Sequence, residues 1–178
     1  NVWNTFNKFV HCNFCNFYLK IGYKVEIEFI GFKKQYEKDF HDLNIDWLKT
    51  YFVVEEYDKN VLLESKKYII DKGGYIFFAK LEKQIVGTIA FLKTEREDIF
   101  ELTKMAVKKN YRGLGIGNFI LKNSLNFEKI NNFKCIILYS NRKLKNAIYL
   151  YKKYGFKEIV IERNSPYQRA DIKMEKII

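Results

Sequence analysis

The chain has 178 residues, and its 32 Lys and Arg outnumber 21 Asp and Glu, which gives a formal net charge of +11 at pH 7. This length suits one domain with its own core, and a composition that is 48% hydrophobic and 17% aromatic excludes a disordered chain. Because no apolar run approaches the roughly 18 residues of a membrane-spanning helix, and three cysteines are too few for a disulfide scaffold, we expect a soluble, cytoplasmic globular domain.

The net positive charge by itself does not identify a partner. An electropositive surface attracts phosphates and nucleic acids, but most of the cations are lysines scattered along the chain. Scattered lysines are typical of a solvated surface, so nucleic acid is not the expected partner.

The first 24 residues differ from the rest of the chain. They contain three lysines and no acidic residue, and they lack the arrangement of a secretory signal. Apolar residues in Val2–Val10 recur at helical spacing, which predicts a short amphipathic helix. We expect residues 1–24 to be an added or loosely packed extension of a domain that spans residues 25–178.

The first half of this domain combines strands with two helices. Alternation of apolar and acidic residues over Val25–Ile30 predicts a half-buried strand. Apolar residues three and four apart predict helices over Lys34–Phe52 and Val61–Asp71. Three β-rich runs follow and are expected to form an antiparallel meander: Tyr75–Lys80, Ile85–Leu92 and Ile99–Val107.

The second half alternates helices and strands after a glycine-rich turn. A helix is predicted over Asn118–Phe127, and the continuous apolar run Cys135–Tyr139 is typical of a buried strand. A helix over Leu144–Tyr154 ends at a glycine, and strands near Phe156–Ile161 and Ala170–Met174 finish the chain. The order β-α-α-β-β-β-α-β-α-β-β predicts a mixed α/β fold.

The glycine-rich turn is the strongest candidate for a binding site. Gly113, Gly115 and Gly117 alternate between a strand that ends at Val107 and the next helix. Glycines allow close approach of the backbone to a ligand, free N–H groups at a helix start form an anion site, and Arg112 can add a charge-assisted bond to phosphate. The spacing does not fit the dinucleotide fingerprint G-x-G-x-x-G, and the chain contains no G-K-[ST] tripeptide of a P-loop.

Two motifs resemble the GNAT superfamily of N-acyltransferases. Arg112, Gly115 and Gly117 match its pyrophosphate-loop pattern [QR]-x-x-G-x-[GA], and Ala147–Phe156 is similar to its signature A-x-x-L-Y-x-x-x-G-F. The motifs stand in the family's usual order, and the resemblance covers residues 25–178. It implies a GNAT-like fold with a central, mostly antiparallel sheet and helices on both faces, and an acetyl-CoA-dependent N-acetyltransferase.

Two further runs, Glu101–Val107 and Ser165–Ile172, look like those of a bacterial GNAT subgroup whose members sometimes follow a winged-helix DNA-binding domain. Residues 1–24 are too short to form such a domain. Many GNAT proteins carry Asn at the position of Leu144, so Asn141 and Asn146 are both open as the amide that contacts the cofactor.

The resemblance also implies where the cofactor lies. Acetyl-CoA is expected in an opening between the strands that end at Val107 and near Tyr139, where a primary amine attacks its thioester directly in a ternary complex. The residues expected to bind it are Met105, Ala106, Val107, Arg112, Gly113, Leu114, Gly115, Ile116, Gly117 and Asn118.

Tyr151 is implied to be the general acid that protonates the departing thiolate, with core packing as the alternative. Glu101 is the candidate general base, placed two alternate-residue steps from Met105 on the same strand, with an exposed structural carboxylate as the alternative. Tyr167 and Arg169 are expected to shape the acceptor pocket, where Arg169 either holds an anionic group of the acceptor or forms a structural ion pair.

The remaining alternatives concern metals, partners and function. Cys12 and Cys15 form a C-x-x-C beside His11, but no second ligand pair exists, so we expect no metal site. One competing function is a basic nucleic-acid-binding or regulatory module, which would not require the Ala147–Phe156 signature; another is a CoA-binding GNAT fold without catalysis. The acceptor, a small-molecule or peptide amine, does not follow from the sequence, and the family suggests a homodimer.

Overall fold

The computed structural model of the chain describes residues 15–18, 24–130, 133–163 and 165–178. The strands are β1 Cys15–Tyr18, β2 Lys24–Gly31, β3 Tyr75–Leu81, β4 Gln84–Lys93, β5 Ile99–Val107, β6 Cys135–Ser140, β7 Lys157–Ile159 and β8 Ile172–Ile177. The helices are α1 Glu37–Tyr51, α2 Glu56–Leu63, α3 Ile116–Ile130 and α4 Lys145–Lys153.

The eight strands of the described residues form one sheet in the order β1-β2-β3-β4-β5-β6-β8-β7. The strand pairs are antiparallel except for β5 and β6, which run parallel. From β2 onward the elements follow the predicted order, and β3, β4 and β5 form the predicted meander. The predicted mixed α/β class is therefore confirmed.

The helices cover both faces of the sheet, as expected. On one face, Phe91 and Leu102 of the sheet share a core with Phe119 and other residues of α3. On the other face, Phe78 packs edge-to-face against Phe40 of α1, with ring centroids 6.4 Å apart. Full burial of one such side chain contributes about 1.5–3 kcal/mol, so the two cores hold the helices firmly against the sheet. No helix in the described ranges is long and apolar enough to cross a membrane.

Part of the predicted extension joins the sheet. Strand β1 pairs antiparallel with β2, with Cys15 opposite Ile27 and Tyr18 opposite Lys24. The predicted helix over Val2–Val10 and the first members of the C-x-x-C segment lie outside the described residues. The division of the chain at residue 24 stays a prediction.

The second predicted helix is wrong in its bounds. Helix α2 begins at Glu56 and ends at Leu63, and a separate turn of π-helix covers Lys66–Ile70. The apolar pattern did not indicate the first turn of α2 because Asp58, which faces the protein interior there, is charged. A buried polar residue on the inward face of a helix removes the periodicity on which the prediction depended.

Strand β5 contains a β-bulge at Lys104, whose backbone adopts a positive φ of 51°. The register with β4 shifts at this point. Leu102 belongs to the core beneath α3 and Met105 packs against the same core, although the two are an odd number of residues apart. Glu101 and Met105 therefore lie on opposite faces of the sheet, and their predicted alternate-residue relationship is wrong because a bulge inserts one extra residue.

Candidate active site

A cleft opens where the two parallel strands separate. Strands β5 and β6 pair only from Ile99 opposite Cys135 to Glu101 opposite Ile137. Beyond these three pairs they diverge, and the gap widens into a cavity of about 570 Å³. The cavity is lined by both strands, the glycine-rich loop, α1, α4 and the segment before β8, so it lies at the predicted opening.

The glycine-rich loop forms one wall of this cleft. Gly113 and Gly115 adopt positive φ values of 77° and 82°, a conformation that side chains with a Cβ disfavour. The Phe119 N–H donates to the Gly115 carbonyl over 2.9 Å. The N–H groups of the three residues before Phe119 therefore have no acceptor within the helix. The predicted cofactor residues that line the cleft are Met105, Val107, Arg112, Gly113, Gly115, Ile116, Gly117, Asn141 and Asn146.

Three of the predicted cofactor residues do not present their side chains to the cleft. Ala106 is buried in the core beneath α1, and Leu114 is not among the described residues that line the cavity. The side-chain oxygen of Asn118 accepts a hydrogen bond of 3.0 Å from the Tyr154 hydroxyl. The side chains of Ala106 and Asn118 are thus used for packing and for anchoring α3 to the end of α4.

Arg112 connects the loop to its neighbours. Its Nε donates to the Val107 carbonyl over 2.9 Å and its Nη1 donates to the Tyr51 hydroxyl over 3.4 Å. Its Nη2 lies 3.8 Å from Oδ2 of Asp46 in α1. The guanidinium therefore joins β5 and α1 at the edge of the cleft, and its contact with a phosphate stays a prediction.

The segment before α4 and the first turn of α4 supply amides and cations to the cleft. The Asn141 amide donates to the Arg169 carbonyl over 2.7 Å, and its oxygen accepts from the Lys143 N–H over 2.9 Å. Both asparagines line the cleft. The side chain of Asn141 is already used to hold the loop, whereas that of Asn146 is exposed. Lys143 and Lys145 also line the cleft, but no sequence motif marked them.

Tyr151 projects from α4 into the cleft wall. It is only 8% exposed, and its hydroxyl lies 3.9 Å from the Met105 sulfur. Burial raises the pKa of Tyr151 to about 12, so the phenol keeps its proton and remains a donor at neutral pH. This placement permits the general-acid role as well as packing.

Glu101 is a buried carboxylate rather than the exposed one that was the alternative. It is 9% exposed, and the Tyr167 hydroxyl donates to its Oε1 over 2.7 Å. Burial raises the pKa of Glu101, although the hydrogen bond from Tyr167 and the charge of Lys104 oppose the rise. Tyr167 lines the cleft, and Glu101 stands behind it.

An ion cluster lies at the same end of the cleft. The Asp58 carboxylate is fully buried and lies 2.6 Å from Lys104 Nζ and 2.5 Å from Arg169 Nη1. Arg169 Nη1 is also 3.1 Å from Glu55 Oε1. Of the two alternatives for Arg169, the structure therefore has the ion pair. No sequence motif marks Asp58 and Lys104, because only the fold brings them together.

The sequence predicted no metal site, and the side chains that would form one are those of His, Cys, Asp and Glu. Across the described ranges, no group of three or more of these side chains is placed to hold a metal ion. Cys135 is a buried free thiol in β6, as the apolar run around it predicts.

Glu101→Gln is expected to stabilise the protein increasingly as pH rises. The folded-state pKa of Glu101 lies above its unfolded value of about 4.5, so the folded state binds the extra proton and stability falls as pH rises through that window. Glutamine keeps the hydrogen bond from Tyr167 without the buried charge. Urea unfolding of both proteins between about pH 5 and pH 8 measures the difference; a gap that closes toward high pH would contradict the raised pKa.

Residues 72–158 match the family model described as an acetyltransferase (GNAT) domain. The chain therefore carries a GNAT acetyltransferase domain. The match includes β5, the glycine-rich loop and the helix with Tyr151, so the cleft described above lies largely inside this domain.

Curated relatives of the GNAT domain are longer proteins. N-acetylaspartate synthetase from Xenopus tropicalis is 33% identical over 98 residues, which are 54% of this chain and 36% of that protein. The probable N-acetyltransferase camello from the same organism is 27% identical over 105 residues, which are 58% of this chain and 48% of that protein. The chain thus spans about a third to a half of the length of the curated relatives that it matches.

Solved structures share the fold of the GNAT domain. An acetyltransferase of the GNAT family from Staphylococcus aureus Mu50 superposes with a TM-score of 0.75 at 23% identity, over 85% of this chain and 98% of that one. The PaiA N-acetyltransferase from Thermoplasma acidophilum, solved in complex with coenzyme A, has a TM-score of 0.66 at 20% identity, over 85% and 99%. The bacterial subgroup and the homodimer stay predictions.

Proposed function

We propose that this chain is an acetyl-CoA-dependent N-acetyltransferase that transfers an acetyl group to a primary amine by direct attack in a ternary complex. The observation that carries the proposal is the split between β5 and β6, with the glycine-rich start of α3 on one wall and the Tyr151 hydroxyl on another. The names of the curated relatives, and the coenzyme A bound to a protein of the same fold, support it.

The residues present fit the cofactor. A cavity of about 570 Å³ lies within the usual range of roughly 300–1,000 Å³ for ligand pockets. The start of α3 offers free N–H groups and the positive end of a helix dipole to a diphosphate. Lys143 and Lys145 add positive charge at the rim, and the glycines leave the backbone uncovered.

Each group of the cleft has a role in this proposal. The backbone of Met105, Ala106 and Val107 would pair with the pantetheine amides as an added strand, and a backbone N–H near Val107 would stabilise the oxyanion. Of the two asparagines, Asn146 is the one that we propose contacts the cofactor. When bound, acetyl-CoA supplies an acetyl thioester, and Tyr151 donates its proton to the leaving sulfur.

Thermal unfolding with CoA, followed by a free-thiol release assay, tests the proposal. A ligand that binds only the folded state stabilises it by about 2.7 kcal/mol at a concentration of 100 Kd. Release of the CoA thiol should require an amine. The acceptor panel contains aspartate and other amino acids, spermidine, and peptides with an N-terminal alanine, which are the classes named by relatives and structural neighbours. Stabilisation by CoA without thiol release would indicate a fold without catalysis, and stabilisation by an oligonucleotide alone would overturn the proposal.

Gly117→Glu is expected to abolish stabilisation by CoA without unfolding the protein. A carboxylate in the first turn of α3 is favoured by the helix dipole but repels a diphosphate at the same place. Gly117→Ala is the matched control, because a Cβ there would meet nothing closer than Met105 Cε at 3.5 Å and a helix gains about 0.5–1 kcal/mol from the exchange. Thermal shifts of both variants with CoA measure the effect; equal shifts would remove the diphosphate from this helix start.

A further inference from the structure

We propose that the Tyr167 hydroxyl relays a proton from the acceptor amine to Glu101. Tyr167 is then the group that meets the amine nitrogen in the cleft, and Glu101 is the proton acceptor behind it. The inference rests on the proposed function and adds the route by which the acceptor loses its proton.

The positions of three side chains favour a relay over direct contact. Tyr167 and Thr103 line the cleft, whereas Glu101 is not among the described residues that line it. The Tyr167 hydroxyl lies 2.7 Å from Glu101 Oε1 and 3.3 Å from Thr103 Oγ1. The Tyr167 hydroxyl, which already donates to the Glu101 carboxylate, therefore offers a route by which a proton can pass from the cleft to that carboxylate.

The ring of Tyr167 is held in place from several sides. Lys104 Nζ lies 5.2 Å and Arg169 Cζ 4.8 Å from its centroid, and both distances are typical of cation–π contacts. The Tyr57 ring packs edge-to-face against it, with centroids 5.6 Å apart. Proton transfer requires a donor and acceptor fixed at hydrogen-bond distance, and this packing keeps the hydroxyl on Glu101.

The surrounding charges make Glu101 a suitable terminal acceptor. The charged and titratable groups around it belong to β5, α2 with its N-cap, and the segment before β8: Lys104, Glu55, Tyr57, Asp58, Tyr167 and Arg169. With Glu101 ionised, this cluster contains three carboxylates (Glu55, Asp58 and Glu101) and two cations (Lys104 and Arg169), so a proton on Glu101 brings their formal charges into balance. Burial favours the neutral acid in the same direction.

The relay moves two protons and leaves Tyr167 unchanged. The ammonium proton of the acceptor passes to Tyr167 Oη, and the original hydroxyl proton passes to Glu101 Oε1. The products are a neutral amine with a free electron pair, a phenol and a carboxylic acid, which returns its proton to solvent after the reaction. Burial and the charge of Glu101 raise the pKa of Tyr167 well above its ordinary value, so the two transfers are coupled and no free phenolate forms.

Tyr167→Phe, Glu101→Gln and the double variant test the relay with the best amine from the acceptor panel. We expect each single variant to lower kcat by about 10²–10³-fold. The double variant should be no slower than the slower of the two single variants, because both residues serve one route. The acidic limb of the pH–rate profile should disappear in both singles. In the wild type, that limb should coincide with the pH at which the unfolding free energies of wild type and Glu101→Gln diverge, which is a readout independent of turnover.

Tyr68→Phe is the matched control, since Tyr68 lies outside the cleft on the π-helical turn and should keep the wild-type rate. Stabilisation by CoA should be the same in all variants. Full turnover of Tyr167→Phe, or losses that multiply in the double variant, would overturn the relay and leave the proposed function standing. A wild type that binds CoA but acetylates no amine overturns the proposed function, and the relay with it.

Discussion

Tyr151→Phe is expected to lower kcat by about 10²–10⁴-fold, the usual contribution of a positioned proton donor, while the affinity for CoA stays unchanged. The substitution removes one hydroxyl, whose neighbour in the cleft is the Met105 sulfur at 3.9 Å. A contact this weak contributes little to folding, so the variant should unfold at nearly the wild-type temperature. Steady-state kinetics with acetyl-CoA, together with thermal shifts with CoA, separate the two effects.

The pH dependence distinguishes this role from that of a residue that titrates in the assay range. Because the pKa of Tyr151 is about 12, the phenol is protonated between about pH 6 and pH 9 and adds no limb to the profile. The loss in Tyr151→Phe should therefore be the same at every pH in that range. Tyr149→Phe is the control, since Tyr149 lies on the same helix and is 71% exposed. Equal turnover of the two variants would leave Tyr151 as a packing residue.

The order of elements could be predicted because most of them bury one continuous apolar face. Phe40, Leu43 and Leu48 give α1 its helical spacing, and the apolar run of β6 reflects burial on both faces. Prediction failed where polar residues point inward. The first turn of α2 contains buried Asp58, and the bulge at Lys104 reverses the faces of β5 without any glycine or proline to signal it.

The candidate site was likewise predictable only in part. The glycine-rich loop is contiguous in sequence, and its conformation depends on local residues such as Gly113 and Gly115, so a motif can describe it. The end of the cleft that we propose for the acceptor is built from three distant segments, around Asp58, Glu101 and Tyr167. They meet only because β5 separates from β6 and the last hairpin returns beside them. No periodicity in one segment contains information about the other two.

A strained backbone and two buried ionisable groups lie together at the end of the cleft that we propose for the acceptor. A positive φ at a non-glycine residue costs about 1–2 kcal/mol, and it occurs at Lys104, whose ammonium is itself buried. Glu101 is a second buried ionisable group three residues away. Strain and buried charge that persist together are typical of functional sites, where they are offset by stability elsewhere in the fold.

Asp58→Ala is expected to cost about 3–5 kcal/mol of unfolding free energy, the usual effect of removing one partner of a buried ion pair. Asp58 is fully buried between Lys104 and Arg169, at 2.6 and 2.5 Å. Without it, the buried Lys104 ammonium has lost its nearest counter-charge. The total unfolding free energy of a typical domain is only about 5–15 kcal/mol, so this single substitution removes a large part of it.

The reason for the loss can be checked by pH and by a second substitution. Burial already lowers the pKa of Lys104, and Asp58 opposes that shift, so the variant should lower it further. The unfolded chain then binds more protons than the folded one up to about pH 10.4, and the stability of Asp58→Ala should recover as pH rises.

Lys104→Met in the same background should restore much of the loss at neutral pH. Asp42→Ala is the control: it breaks the exposed pair with Lys38 and should leave the urea midpoint nearly unchanged. A loss of equal size at every pH, not relieved by Lys104→Met, would mean that a cavity rather than an unpaired charge destabilises the variant.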